Sequence, residues 1–390
     1  MPFALYLLAL AVFAMGTSEF MLAGLVPDIA ADLDVAVGTA GLLTSAFAVG
    51  MIVGAPVMAA FARRLPARIT LLGCVVVFAL SHVVGATTAS FSVLFAARVL
   101  AAVANAGFLA VALSAATRLV ASDQKGRAVA VLLSGTTLAT VAGVPAGALL
   151  GTAMGWRATF WAVALLCVPA TIGILTGIRR NDDPAPTGGS LARELAQLRT
   201  PRLLSAMLLG ALVNGGTFAA FTFLAPVVTE TAGLDDVWVP LALVLFGVGS
   251  FVGVTAAGRL SDRRPRLTLG VATPALATGW LALALLAAHP VPLLVLILVQ
   301  GVLAFAVGST LIARVLYAAS DAPTMGGSYA TAALNVGAAA GPAIGAAALS
   351  GSPELGPVWV AAALTGLALV LLLPSMRLIA PQDRSVEHVG

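Results

Sequence analysis

Charge is what this chain has least of. Only 9% of its 390 residues are Asp, Glu, Lys or Arg, against roughly a quarter in a soluble globular domain. So little charge cannot keep a surface this size in water, which excludes a soluble enzyme. Aromatic residues make up 6%, and there are three histidines and two cysteines. Cys74 and Cys167 each lie inside a long apolar run, which excludes a disulfide framework and a thiolate metal site. No glycine-rich phosphate loop with a lysine follows a strand pattern, so ATP is not used directly. A His-Glu-x-x-His motif, a paired-carboxylate site and a nucleophile triad are all missing, which leaves an intramembrane enzyme without support. No metal and no cofactor are expected. The net charge is +4, but the basic residues stand singly or in pairs between apolar runs, and this argues against a nucleic-acid partner.

What is present is apolar sequence in long blocks, 60% of the chain. A membrane helix needs about 20 apolar residues. Twelve blocks qualify: 4–26, 39–61, 69–88, 91–113, 128–150 and 156–178, then 203–228, 237–258, 267–288, 291–313, 325–349 and 356–377. The first has no basic stretch before it and continues past Glu19 to Val26, so it is expected to be a retained span rather than a cleaved signal. The expected fold is all-α, with twelve transmembrane helices in a lipid bilayer.

The basic residues test the count. Arg63, Arg64 and Arg68 follow span 2, and Arg118, Lys125 and Arg127 follow span 4. Arg259, Arg263, Arg264 and Arg266 follow span 8. With the central segment, Arg314 and the tail, eighteen of the twenty lie on one side. Arg157 alone is on the other, and Arg98 is inside span 4. Cytoplasmic loops carry the excess of Lys and Arg, so both termini are expected in the cytoplasm of a cell-membrane protein.

The segment 179–202 is the one long polar stretch. Pro184, Pro186, Gly188 and Gly189 open it. Leu191, Leu195 and Leu198 then recur at helical spacing opposite Arg193, Glu194 and Gln197, with Ser190 as cap. It reads as a cytoplasmic linker with a short amphipathic helix. The linker divides the chain into a six-helix bundle at 1–178, a second at 203–379 and a tail at 380–390.

The two halves repeat. Gly16-Thr17 in span 1 returns as Gly216-Thr217 in span 7, and Pro145 of GVPAG in span 5 returns as Pro342 of GPAIG in span 11. An offset near half the chain marks a duplicated unit. Small residues also recur every fourth position: Ala46, Gly50 and Gly54 in span 2, and Gly135, Ala139, Gly143, Gly147 and Gly151 in span 5. Gly249, Gly253 and Ala257 do so in span 8, and Ala333, Gly337, Gly341 and Gly345 in span 11. Any one row is ordinary close packing. Four rows at a three-helix period are expected to form the seam between halves.

Polar residues mark the complementary helices. Span 1 carries Thr17, Ser18 and Glu19, and span 4 carries Arg98 and Asn105. Asn214 and Thr217 lie in span 7, Gln300, Ser309 and Thr310 in span 10, and Asn335 in span 11. Thr17, Asn105, Asn214, Thr217, Gln300 and Asn335 are the candidates for a substrate cavity. The bland alternative is hydrogen bonding within or between helices.

Two formal charges lie deep in the spans, Glu19 and Arg98. At 1.5 Å per residue both fall roughly 6 Å to the outer side of the midplane. One reading is a fixed ion pair joining span 1 to span 4. The other is a carboxyl that loads and releases a proton. Burial favours the neutral acid and a nearby cation the carboxylate, and a cavity that opens and closes alternates the two. No second acidic residue lies in any span, which favours the proton-coupling reading. His82, near the outer end of span 3, reads as an interfacial hydrogen-bonded residue and is left out of the site.

These residues carry a family pattern. GRLSDRRPR at 258–266 resembles the cytoplasmic loop signature of the major facilitator superfamily, with Gly258, Leu260, Asp262, Arg263 and Arg266 in place and Pro265 where glycine is usual. The first-half copy at 59–68, AAFARRLPAR, has Arg63 in place of the Asp. Arg98 fits the family's span 4 arginine, and Gly143, Pro145 and Gly147 resemble its antiporter motif. MGTSEFMLAGLVP and GWRATFW look like the drug:proton antiporter branch. TSAFAVGMIVGAPVMAAFARR, NAGFLAVALSAAT, NGGTFAAFTFLAPVVTETAGL and VLYAASDAPTMGGSYATAALN are similar to actinobacterial efflux proteins for chloramphenicol resistance.

The resemblance implies proton-driven export of chloramphenicol-like, largely uncharged drugs by a functional monomer. It implies gating by the loop residues Gly258, Asp262, Arg263 and Arg266 and by Gly143, Pro145, Gly147 and Gly341. The alternative is export of a sugar, nucleoside or other small metabolite. A receptor or channel is a weaker fit, because no charged pore ring is present.

Overall fold

The structure, a computed structural model, describes residues 2–62, 66–121, 124–178, 196–260, 265–320, 322, 325–350 and 354–379. Twelve helices within them are long and apolar enough to cross a membrane. They are α1 Phe3–Gly24, α2 Val37–Ala55, α3 Ala67–Thr87, α4 Phe91–Leu113, α5 Val131–Met154 and α6 Trp156–Gly177, then α7 Pro201–Thr222, α8 Trp238–Ala257, α9 Pro265–Leu286, α10 Pro290–Ala318, α11 Gly326–Ala348 and α12 Gly356–Met376. Each overlaps one of the twelve blocks in the sequence. Most of the linker, residues 179–195, lies outside the described residues, as do Asp262, Arg263 and the tail; Gln197–Arg199 forms a single 3-10 turn.

Helix satisfies every backbone polar group within its own segment, as lipid without water requires of a span this long and apolar. Leucines and valines such as Leu165, Leu285, Val291 and Leu373 stand on the outside of the bundles, as they must where the solvent is hydrocarbon. Two apolar cores lie within. One is built almost wholly from α1–α6, around Met15, Phe47, Phe78, Phe108 and Phe160. The other is built mainly from α7–α12, around Phe221, Phe246, Trp280 and Leu311.

Proline and glycine shape α5. Pro145 has no N–H to donate, and a π-helical turn, Ala139–Gly143, precedes it. A π-turn accommodates a broken ladder inside a continuous helix and is often found at functional sites. Gly155 ends α5 at φ 83° and lets α6 start at once, a backbone region that disfavours other residues.

The bundles meet along α2 with α11 and α5 with α8, the four helices singled out by their small residues. The faces differ from expectation. A Cβ on Gly50 or Gly54 would strike Val99, Ala102 and Val103 of α4. One on Gly143 would strike Thr17 of α1, and one on Gly249 or Gly253 the backbone of α10. One on Gly341 would strike Gly215 of α7. The glycine rows therefore pack helices inside each bundle and do not form the seam. The seam uses other residues: Ser45 Oγ donates to Ala339 O at 2.7 Å, Gly38 meets Ala346, and Gly247 meets Thr140 and Val141. The physical reason is that a row of glycines lets two helices approach along several turns, whereas the seam glycines Gly38 and Gly247 each stand at a single crossing.

These cross-bundle contacts are not spread evenly. Calling the end that holds Pro2 and Ile379 proximal, they gather in the distal half. Met21–Gly24 touches α7 and α8, Gly41 faces Phe223, and α8 packs on residues 139–154 of α5. Phe20 packs on Phe218 and Phe221, with ring centroids 5.7 and 6.3 Å apart. Apolar contact joins the bundles at the distal end, beside a cleft of about 590 Å³ lined by Val37, Leu42, Pro226, Glu230 and Ala346.

Candidate functional site

Among the described residues two arginines are buried, Arg98 of α4 at 1% exposure and Arg314 of α10 at 8%, and Arg98 is the one that meets α1. Its Nη1 donates to Ser18 Oγ at 2.7 Å, and its guanidinium lies over the Phe47 ring at 4.4 Å. Nε and Nη2 have no partner. Ser18 Oγ is also 2.7 Å from His82 Nε2, and His82 Nδ1 is 2.8 Å from Phe78 O. Ser18 and His82 are both fully buried. An interfacial histidine was expected on α3. The structure instead puts His82 in the interior, between Phe78 and Phe160 at 4.3 and 5.7 Å.

Glu19 follows Ser18 on α1 and is only partly buried. Among the described residues no ion pair or hydrogen bond joins Glu19 to Arg98. A closed Glu19–Arg98 pair is therefore not the arrangement in this structure. Successive helical residues point about 100° apart, so Arg98 reaches Ser18 while Glu19 projects in another direction and stays partly exposed.

The other candidates divide. Thr17 Oγ1 and Asn105 Oδ1 are buried without partners. Asn105 Nδ2 lies 3.6 Å from Met51 Sδ, and the missing side chain of Gly143 makes room for Thr17. Asn214 Nδ2 donates to Leu334 O of α11 at 2.7 Å. Thr217 and Asn335 bond back to Val213 O and Thr331 O on their own helices. Gln300 turns away from the bundle interface: its Nε2 donates to Leu276 O of α9 at 3.1 Å, in space left by Gly279. Thr17 thus faces α5, Asn105 faces α2 and Arg98 lies against Ser18, while Gln300 and Asn335 are left in helix packing. Gly147 packs against Thr159, whose hydroxyl donates to Gly147 O at 2.8 Å. Gly258 lies on the last turn of the α8 helix and Arg266 on the first turn of α9.

Sequence reasoning missed a ladder of phenylalanines. Phe20 contacts Phe218 and Phe221, Phe221 contacts Phe246 at 4.7 Å, and Phe246 contacts Phe305 at 6.0 Å. It begins beside Glu19 at the distal closure and runs through α7 and α8 to the middle of α10. Spacing along one helix cannot reveal it, because it is assembled from four.

At the distal face Arg157 pairs with Asp32 and donates through Nη2 to Thr88 O at 2.9 Å, while Trp156 Nε1 donates to Asp32 at 3.2 Å. This explains the single basic residue on that side. It ties the chain after α1, the turn after α3 and the start of α6.

The Major Facilitator Superfamily profile matches residues 8–333. A chloramphenicol resistance protein of Streptomyces lividans is 69% identical over 348 residues, covering 89% of each chain. The inner membrane transport protein YdhP of Escherichia coli K12 is 35% identical over 96% of each chain. Among solved structures, a bacterial homolog of the human lysosomal transporter Spinster, inward-facing and occupied, superimposes with a TM-score of 0.73 at 18% identity, over 96% of this chain and 95% of that one. The nucleoside transporter NupG superimposes with a TM-score of 0.75 at 13% identity, over 96% and 98%. These two likenesses concern the fold alone.

Proposed function

The chain belongs to the Major Facilitator Superfamily, a multi-pass membrane protein, and from that premise we propose that it exports chloramphenicol or similar largely uncharged drugs in exchange for protons. The observation that carries the substrate is the 69% identity, over most of both chains, to a chloramphenicol resistance protein. The observation that supports proton coupling is Glu19, a partly exposed carboxyl without an ion pair and the only acidic residue in the twelve spans.

The placement of eighteen of twenty basic residues supports a cell-membrane protein with both termini in the cytoplasm. On that orientation the distal closure makes this the inward-facing state. Drug enters from the cytoplasmic side and meets the phenylalanine ladder, whose rings offer apolar area to an aryl group. Thr17, Asn105 and Asn214 supply polar contacts. Loading and release of the Glu19 proton on opposite sides of the membrane couples export to the proton gradient as the bundles rock. The loop residues Gly258, Asp262, Arg263 and Arg266 then favour the inward-closed state, and the Gly143, Pro145 and Gly147 turn and Gly341 keep each bundle rigid while it moves. The cycle needs no enzymatic step, no cofactor and no second subunit.

The test is drug export in proteoliposomes under imposed pH or voltage gradients, with wild type and Glu19→Gln side by side. Glu19→Gln keeps the shape and loses the charge change, so it is expected to bind drug but not to concentrate it. One proton exchanged for one neutral drug moves net charge, so voltage alone should drive the wild type. A mutant that concentrates drug as well as wild type refutes the proton site. Unchanged accumulation of labelled chloramphenicol in a host expressing the wild-type chain, with and without a protonophore, refutes the substrate.

A further inference from the structure

The hydrogen bonds around His82 have a fixed direction. Phe78 O can only accept, so His82 Nδ1 carries a hydrogen, and in the neutral imidazole that burial beside the Arg98 cation favours, Nε2 offers a lone pair. Ser18 must then donate its one hydrogen to Nε2. That leaves Ser18 with lone pairs only, and Arg98 Nη1 donates to one of them. The polarity runs from Arg98 through Ser18 to His82 and ends at Phe78. The groups that face His82 are Ser18 of α1, Phe160 of α6 and Phe78 of its own helix, with Arg98 one hydrogen bond further. Among the described residues no carboxylate bonds any member of this chain of hydrogen bonds.

Arg98 is nevertheless incompletely held. Its Nε and Nη2 are buried without partners, a cost that a carboxylate acceptor would remove. The nearest such group in the sequence is Glu19, one residue past Ser18. The guanidinium therefore has two stations on α1, a neutral hydroxyl and a carboxylate, and the structure finds it at the hydroxyl.

We propose that His82 is a positioning residue of the transport cycle, which through Ser18 holds Arg98 away from Glu19 and keeps that carboxyl free to take a proton. Without the imidazole acceptor, Ser18 is free to bond back to its own helix, and Arg98 transfers to Glu19. The guanidinium then competes with the proton for the same carboxylate. The inference rests on Glu19 as the coupling site.

The experiment compares gradient-driven export of labelled chloramphenicol with drug–drug exchange at equal concentrations, in proteoliposomes. His82→Phe keeps a ring against Phe78 and Phe160 but offers no acceptor. Ser18→Ala removes the relay and leaves the Phe78 and Phe160 rings around the imidazole in place. Each is expected to lower driven export about tenfold, the scale of one hydrogen bond to a charged group, and to leave exchange within about twofold. His82→Gln retains an acceptor and a donor and should restore most of the driven rate. In a Glu19→Gln background, His82→Phe should cause no further loss. Parallel loss of export and exchange in both His82→Phe and Ser18→Ala would reduce the chain to packing and overturn the proposal, as would normal driven export from both. Full driven export by Glu19→Gln alone removes the premise and the proposal together. Failed export by Glu19→Gln beside normal His82→Phe removes only the His82 role.

Discussion

Gly341→Ala adds one carbon where α11 crosses α7. The new Cβ would overlap the Gly215 carbonyl oxygen and lie 2.8 Å from its carbonyl carbon and 3.0 Å from its Cα. Carbon contacts are optimal at about 3.5–4.0 Å, so these two are short by roughly 0.5–1.2 Å. The obstacle is backbone, which has no rotamer to swing aside, so the helices must part. Overpacking of this kind costs about 1–3 kcal/mol, and the better helix propensity of alanine returns up to about 1 kcal/mol. The net expectation is a loss of about 0–3 kcal/mol in the second bundle, and more for Gly341→Leu. Gly366→Ala on α12 is the control, because a Cβ there meets nothing within 4 Å. The assay is the apparent thermal midpoint of purified protein in detergent, read beside transport in liposomes. Gly341→Ala should lower the midpoint while Gly366→Ala leaves it level or raises it. If Gly341→Ala keeps the wild-type midpoint and still blocks transport, the glycine row acts on bundle motion and the packing argument is wrong.

Three further outcomes are expected. Arg157→Ala should cost about 1 kcal/mol or less, the scale of an exposed pair, while sparing transport; Arg157→Lys should recover only part, because one ammonium cannot serve both Asp32 and Thr88 as the guanidinium fork does, and thermal midpoints of the three proteins decide it. Asp28, beyond α1 on the distal face, has its carboxyl raised above the ordinary value, first by partial burial and then by Asp236 across the bundle interface. A proton on Asp28 therefore binds this distal-closed state better than a separated one. Closure should gain as distal pH falls toward the ordinary carboxylate value and lose that gain as pH rises through the raised one, and Asp236→Asn should weaken the dependence; labelling of a distal-loop cysteine at stepped pH measures it. Asp262→Asn is expected to slow drug turnover with modest loss of binding, whereas Arg63→Ala matters less. Equal and severe losses in initial efflux rate would contradict the asymmetry between the two loops.

Several features of this protein were legible in one dimension. Apolar block length depends only on local composition, so twelve spans and their ends could be read to within a few residues, from Phe3–Gly24 to Gly356–Met376. A formal charge inside such a block is conspicuous whatever surrounds it, which is why Glu19 and Arg98 stood out before any fold was known. Rotation of each helix about its own axis is another matter. In a soluble helix the apolar stripe reveals the buried face. Here lipid and protein interior are equally apolar, and hydrophobicity does not say which side of α5 or α11 meets which neighbour. Packing decided that Gly341 faces Gly215 inside its bundle, that Gln300 turns to Leu276, and that four helices bring Phe20, Phe221, Phe246 and Phe305 into one ladder. Packing likewise decided Arg98. Its depth matches that of Glu19, but 100° of helical rotation places Ser18 in reach instead, with His82 behind it. Depth is a property of the sequence; azimuth, and with it the partner of every buried polar group, belongs to the tertiary structure.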